Sequence, residues 1–157
     1  MASGNYRFPF IRTVAIMRRH APFHATSPVM RHCIDWAMSQ GTLVLAARAG
    51  IVVQAVGRYT KTYHQPGFRR RTNHVRIRHD DGQVSRYVHL AAHSVRVRVG
   101  QRVRCGQVIG RSGQTGYATY PHLHFGVYGP SGANIRIPWD RMIPDRGRWL
   151  TVRGARM

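Results

Sequence analysis

The chain has 157 residues, 43% of them hydrophobic, which suffices for one domain with a single core. No apolar run is long enough to cross a bilayer, and two cysteines without a C-x-x-C pair argue against a thiolate zinc site. With 25 basic residues, five aspartates and no glutamate, the chain has a formal net charge of +20 and excludes the glutamate-dependent H-E-x-x-H zinc helix.

The two ends of the chain carry the weakest patterns. An apolar patch from Phe8 to Met17 is interrupted by Arg12 and precedes no small-residue cleavage pattern, so no signal peptide is predicted. We interpret residues 1–20 as an N-terminal arm, residues 21–138 as one domain and residues 139–157 as a basic C-terminal tail. The scattered arginines fit either a general preference for arginine or a polyanionic partner.

The middle of the chain has the patterns of β-strands. "TLVLAARAGIVVQAV" predicts two strands joined by a turn, and "NHVRIRHDDGQVSRYVHL" predicts a hairpin that turns at "HDDGQ". "SVRVRVGQRVRCGQVIGRSGQTG" alternates again between glycine turns, whereas "YTKTYHQPGFRRRTN" is typical of a basic, aromatic loop. Because no segment has a sustained helical period, we expect one all-β, mostly antiparallel domain.

Acid–base chemistry falls most naturally to the ten histidines, and several of them stand in suggestive positions. In "PHLHF", strand alternation places His122 and His124 on one face, as a metal or catalytic site or as a plain polar stripe. Asp35 lies among apolar residues, His89 ends a strand in "RYVHL", and His24 precedes Asp35 in a proline-flanked loop. Two histidines and one carboxylate make a usual catalytic zinc set, and the remaining two histidines could then transfer protons.

The order of these motifs resembles the LytM/lysostaphin-type zinc endopeptidases, peptidase family M23. The resemblance follows Asp35, "AARAGIVV", "NHVRIRHDDG", "YVHL", "VRVGQRVRCGQVIGRSGQTG" and "PHLHF", and covers roughly Phe23 to Pro138. Members of that family cleave peptide cross-links in bacterial peptidoglycan. The resemblance implies a coiled, mostly antiparallel β-sheet with a metal-binding groove, Zn²⁺ as cofactor, and a peptidase domain at residues 21–138.

The resemblance also implies a role for individual residues. Asp35 and His124 would be zinc ligands, His122 the catalytic histidine beside the metal, and His89 its partner. Which of the two catalytic histidines is the general base stays open.

The remaining zinc ligand departs from the compact family motif. That motif has a histidine four residues before the aspartate, where this chain has Arg31. "FHATSPVMRHCIDWAMSQGT" is similar to a longer-loop branch of the family, which makes His24 the ligand and His32 its competitor. On a strand, His32 would point away from the face of Asp35, which favours His24.

Six other candidate groups receive structural interpretations. Cys33 and Cys105 could form one disulfide, or be a buried small residue and a turn residue. Cys33 shares the face of Asp35, where it could crowd the metal or simply fill space. The other four are interpreted as surface or loop histidines: His64, His74, His79 and His93.

The resulting hypothesis is a zinc-dependent endopeptidase that hydrolyses peptide bonds in peptidoglycan cross-links, with the scissile bond left open. We expect a monomer in the cell envelope or outside the cell, with peptidoglycan peptides and anionic wall polymers as partners and no specific nucleic acid. One alternative is an inactive family member that binds peptidoglycan or activates another hydrolase. The other is a basic nucleic-acid-binding β-domain, for which residues 59–73 offer a mild version of a basic aromatic surface.

Overall fold

The computed structural model describes residues 6–10, 15–19, 24, 26–138 and 149–151. Within these ranges the secondary structure consists almost entirely of short strands, with a 3-10 helix at Pro66–Phe68. The strands are β1 (Ala15–Arg19), β2 (Ile34–Ala37), β3 (Leu43–Leu45), β4 (Gly50–Val56), β5 (Thr62–Tyr63), β6 (His74–Arg78), β7 (Val84–Val88), β8 (Arg102–Val103), β9 (Val108–Arg111), β10 (Gly116–Tyr117), β11 (His122–Tyr128), β12 (Asn134–Ile135) and β13 (Trp149–Thr151).

One large sheet organises the molecule. Its strand order is β13-β1-β2-β11-β7-β6-β4-β8, β12 adds a short pairing to β11, and all of these pairings are antiparallel. Two small sheets lie beside it, the antiparallel pair β3–β9 and the parallel pair β10–β5. The predicted all-β, mostly antiparallel fold is therefore confirmed.

One face of the large sheet packs into the hydrophobic core. Val75 and Ile77 of β6, Tyr87 of β7, and Leu123 of β11 are fully buried, as the alternating sequence predicts. The buried Tyr87 hydroxyl accepts a hydrogen bond from the backbone N–H of Ala47 at 2.8 Å, so this polar atom does not oppose folding.

The other face of the sheet carries two neighbouring rows of side chains, set by the strand register. The first, which we call the histidine row, crosses the sheet through Asp35, His124, Val88, His74 and Val56. The second, the arginine row, is offset from the first by two residues on each strand. It runs through Gly126, Arg86, Arg76 and Gln54. Because cross-strand partners point to the same side of a sheet, the members of each row are neighbours.

The predicted hairpin forms as β6 and β7. Its turn is closed by the carboxylate of Asp81, which accepts a hydrogen bond from the backbone N–H of Gln83 at 3.0 Å, and Gly82 adopts a φ of +78°. His79 lies in the turn between β6 and β7, which agrees with the loop half of its interpretation as a surface or loop histidine. Its side chain is buried, and its Nδ1–H donates to the carbonyl of Ala49 at 2.7 Å.

Two local expectations differ from the observed structure. The strands β3 and β4 form where predicted, but they pair with β9 and with β6 and β8 rather than with each other. The "SVRVRVG" segment, residues 94–100, alternates without forming a strand. It runs beside β9 with a backbone hydrogen bond from Arg96 N–H to the carbonyl of Ile109, and Val97 is buried. Its three alternating valines differ in exposure, since Val97 is buried, Val95 is partly buried and Val99 is 62% exposed, so the alternation does not mark one buried face.

The described backbone near both termini joins the large sheet. Ala15–Arg19 pairs with β2 and with Trp149–Thr151. The predicted boundaries at residues 20 and 138 stay predictions. No helix in the described ranges has the length and hydrophobicity needed to span a membrane.

Candidate active site

Three potential metal ligands converge at one end of the histidine row. Asp35 on β2 lies directly opposite His124 on β11, and the His124 Nδ1 is 2.8 Å from the Asp35 Oδ1. His24 comes from the segment before β2, with its Nε2 at 3.8 Å from the same oxygen and its ring 5.0 Å from that of His124. The ligand atoms of these three residues all lie within 4.8 Å of one another.

This donor set fits a zinc ion. A tetrahedral zinc with bonds of about 2.0–2.1 Å holds its ligand atoms roughly 3.3 Å apart, which lies between the distances of 2.8 Å and 3.8 Å from the Asp35 Oδ1 to His124 and His24. Two imidazoles and one carboxylate are ligands that zinc prefers, and three protein ligands leave one position open for a water or a substrate.

Charge in the cluster is concentrated on the Asp35–His124 pair. Burial raises the pKa of Asp35, but the hydrogen bond from His124 and the nearby imidazoles outweigh it and hold that pKa well below its usual range. Burial likewise opposes the charge of His124, but the contact with Asp35 raises the pKa of His124 to about 10. Without a metal, the pair is therefore a buried imidazolium–carboxylate ion pair.

His122 lies beside the cluster on the same face of β11. Its Nδ1–H donates to the carbonyl of Tyr120 at 2.8 Å, so its Nε2 keeps a lone pair, 3.7 Å from the Asp35 Oδ1. Burial lowers the pKa of His122, although the Asp35 charge opposes this effect. A neutral imidazole with a free ring nitrogen can accept a proton.

His89 completes the site from the end of β7. Its backbone has a φ of +64°, a left-handed conformation that is uncommon outside glycine and turns the chain sharply at this residue. Its ring centroid lies 4.6 Å from that of His122 and 6.1 Å from that of His124. Burial and the neighbouring His122 and His124 lower the pKa of His89 to about 3, so this histidine is neutral at physiological pH.

Two threonines that the sequence analysis missed fix the His89 ring. The His89 Nδ1–H donates to the carbonyl of Thr115 at 2.8 Å, and the Thr72 hydroxyl donates to the same carbonyl at 3.0 Å. A Cβ on Gly116 would lie 2.6 Å from the Thr72 Cβ, and Gly116 has a φ of +80°. Gly116, the second glycine of "GQTG", is thus the sequence signal of this close approach.

The competing groups from the sequence analysis are not part of the metal-ligand cluster found among the described residues, although the Cys33 side chain contacts His124. His32 is outside the three-residue cluster found among the described side chains, and its backbone N–H donates to the Asn134 Oδ1. Cys33 and Cys105 are free thiols, one buried and one exposed, so they form no disulfide with each other. The Cys33 Sγ lies 3.3 Å from the Tyr128 hydroxyl.

A groove of about 760 Å³ opens over this site. It includes His89 and His124 and extends along both rows of the sheet to the loop at residues 58–70. Arginines dominate its charged lining: Arg58, Arg69, Arg70, Arg76 and Arg86. The groove therefore reaches the site at His89 and His124.

Known proteins are similar to this chain in both sequence and fold. The family model described as Peptidase family M23 matches residues 29–136. Peptidoglycan DD-endopeptidase ShyA of Vibrio cholerae is 36% identical over 110 residues, which are 70% of this chain and 21% of ShyA. The chain spans between 17% and 30% of the length of the curated relatives it matches.

Two solved structures extend the comparison to three dimensions. The catalytic domain of the antimicrobial peptidase lysostaphin from Staphylococcus simulans is similar with a TM-score of 0.52 and 29% identity, covering 83% of this chain and 84% of that domain. A zinc-containing peptidase from Vibrio cholerae is similar with a TM-score of 0.59 and 26% identity, covering 83% of this chain and 38% of that protein.

Proposed function

Because this chain belongs to peptidase family M23, we propose that it is a zinc-dependent endopeptidase that hydrolyses peptide bonds in bacterial peptidoglycan. The observation that carries the proposal is the convergence of His24, Asp35 and His124 beside two neutral histidines. The name of the relative ShyA, a peptidoglycan DD-endopeptidase, supports the substrate class.

His24, Asp35 and His124 would hold the zinc ion. When bound there, zinc supplies Lewis-acid polarisation of the scissile carbonyl and lowers the pKa of an attacking water. The relative position of the three ligands is set by the β2–β11 register and by the segment that carries His24.

His89 and His122 are the candidates for proton transfer. Each donates its Nδ1–H to a backbone carbonyl, which orients the ring and leaves Nε2 able to accept a proton from water. The imidazolium formed in this way can stabilise negative charge on the scissile carbonyl oxygen through its Nε2–H, and the same nitrogen can then return the proton to the leaving amine. Because the two rings are adjacent, either histidine can take this role.

The location and further partners follow from this substrate. A peptidoglycan hydrolase acts in the cell envelope or outside the cell, and we propose that location for this protein. The net charge of +20 would attract anionic wall polymers at long range, and this attraction should weaken as salt increases. The monomeric state stays a prediction.

The test measures peptide release from purified peptidoglycan by mass spectrometry. We expect zinc-loaded protein to release peptide fragments, a chelator to stop the release, and added zinc to restore it. Asp35→Asn serves as the matched variant, since it removes one ligand charge with little change in volume. Undiminished release by metal-free protein would refute zinc dependence. Zinc-loaded protein that binds peptidoglycan without cutting it would favour the inactive-member alternative.

A further inference from the structure

Two arginines lie side by side in the groove, in the row next to the histidine row. Arg76 on β6 is directly opposite Arg86 on β7, and both line the groove. Like charges directly opposite each other on neighbouring strands destabilise a sheet. The pair therefore costs folding stability unless an anion neutralises it.

No carboxylate of the described residues neutralises this pair. The ion pairs of the described aspartates involve the histidine cluster for Asp35 and Arg48 for both Asp80 and Asp81. The whole chain has only five acidic residues for 25 basic ones, so few internal anions exist for any arginine. The Arg86 Nε is also buried without a hydrogen-bond partner among the described residues. The half-buried Arg86 guanidinium, beside a second cation, therefore gains most from an external anion.

The Arg86 guanidinium is held in place before any ligand binds. The Arg86 guanidinium carbon lies 3.8 Å from the centre of the Tyr128 ring, a cation–π contact, and the Tyr128 hydroxyl in turn contacts the Cys33 Sγ. Burial and the charge of Arg86 both lower the pKa of Arg76, as expected of two cations that lack a counter-ion.

The sheet geometry sets the distance between this pair and the cleavage site. With about 4.8 Å between strands and about 3.4 Å per residue along them, the Cα atom of Arg86 lies roughly 8 Å and that of Arg76 roughly 12 Å from that of His124. Arginine side chains reach several ångströms from the backbone. Their guanidinium groups can thus meet a carboxylate on the residue next to the scissile bond or on the one after it.

We propose that Arg76 and Arg86 bind a free carboxylate of the peptide substrate close to the bond that is cut. This inference rests on the proposed function and narrows its substrate class. It favours cross-links of the diaminopimelate type, in which a free carboxylate lies beside the cross-linking amide, over uncharged oligoglycine bridges. Planar guanidinium groups recognise carboxylates through paired N–H donors, which fits this selection.

The test compares two synthetic cross-linked peptides that differ only in the carboxylate next to the cross-link, free in one and amidated in the other. We expect zinc-loaded protein to cleave the free-carboxylate peptide with a kcat/KM about 10- to 100-fold higher. Metal-free protein, which cleaves neither peptide, should bind the free-carboxylate peptide more tightly by a similar factor in titration calorimetry. Equal binding and equal cleavage of the two peptides would overturn the inference, whatever the behaviour of any variant.

Variants assign the effect to the arginine pair. Arg76→Gln and Arg86→Gln should each remove most of the preference for the free carboxylate. They should do so mainly by lowering the affinity and kcat/KM for the free-carboxylate peptide. The matched control is Arg104→Gln, which removes the same charge from an exposed position outside the groove and should keep the preference. A preference that survives in both groove variants, with thermal unfolding showing that they fold, would place the carboxylate site elsewhere.

The readouts separate this inference from the proposed function. Carboxylate-dependent binding without cleavage by zinc-loaded protein would support the arginine site and refute the endopeptidase proposal. Cleavage of both peptides at the same rate would support the endopeptidase proposal and refute the arginine site. A phosphate-bearing wall polymer that competes for the groove more strongly than the free-carboxylate peptide would overturn the peptide carboxylate as the ligand.

Discussion

His122 and His124 share one face of β11, yet replacing each with alanine should change a different quantity. The His124 Nδ1 lies 2.8 Å from the Asp35 Oδ1, inside the cluster that fits zinc. The His122 ring instead packs 4.6 Å from the His89 ring, and its Nδ1–H is used by the Tyr120 carbonyl. We therefore expect His124→Ala to lose zinc and activity together, and His122→Ala to keep zinc and lose turnover.

The structure and general energetics give the size of both effects. Zinc binding to a four-ligand protein site has an apparent free energy of about 10–16 kcal/mol, or roughly 3 kcal/mol per ligand. Removing the His124 ligand should then weaken zinc binding by about 100-fold or more. Removing a general acid–base group typically costs about 10²–10⁴-fold in rate, which is the loss expected for His122→Ala.

The assay measures three quantities on each variant. Elemental analysis after dialysis at a fixed free zinc concentration gives zinc per chain, muropeptide cleavage gives the rate, and thermal unfolding shows whether the fold is intact. His64→Ala is the matched control, because His64 is exposed and lies outside the groove. It should change neither zinc content nor rate.

Two outcomes would refute the reasoning. Equal zinc loss in His122→Ala and His124→Ala would mean that both imidazoles hold the metal. Full zinc retention in both would mean that the cluster around Asp35 is not the metal site.

Three further predictions use other parts of the structure. His24→Ala should lose zinc while His32→Ala keeps it, and the reverse result would make His32 the ligand. Although burial opposes its charge, contact with Asp35 raises the pKa of His124 to about 10, so zinc binding at pH 7 should release about one proton. Zinc affinity should then rise about tenfold per pH unit below pH 10, and calorimetry in two buffers that shows no proton release would refute this. A Cβ on Gly113 would lie 2.6 Å from the backbone nitrogen of Ala91, so Gly113→Ala should lower the Tm by roughly 2–10 °C. Gly67→Ala should leave the Tm unchanged, because no atom lies within 4 Å of its added Cβ. Equal Tm values for the two variants would contradict the predicted clash.

Much of the sheet could be predicted because its information is local. The alternation in β6 and β7 records which side of each strand is buried, and the turn at "HDDGQ" contains its own hydrogen-bonding aspartate. The same alternation in β11 predicts that His122 and His124 share a face. Where a segment alternates for another reason, as at residues 94–100, the local pattern predicted a strand that does not form.

The candidate site depends on information that local patterns lack. His89 points at His122 because its backbone takes a left-handed conformation and the Thr115 carbonyl orients its ring, a contact between residues 26 positions apart. Nothing in "RYVHL" by itself predicts either feature. The burial of the loop residue His79 could not be predicted for the same reason, because its partner Ala49 lies 30 residues away.

The sequence by itself determined the all-β class, the face that each strand residue occupies, and the residue types available for chemistry. These properties follow from side-chain alternation and composition, which need no knowledge of neighbouring strands. Only the tertiary structure decided which residues face one another. The strand register places Asp35 against His124 and Arg76 against Arg86, and a shift of one residue would have turned each of these side chains to the other face of the sheet.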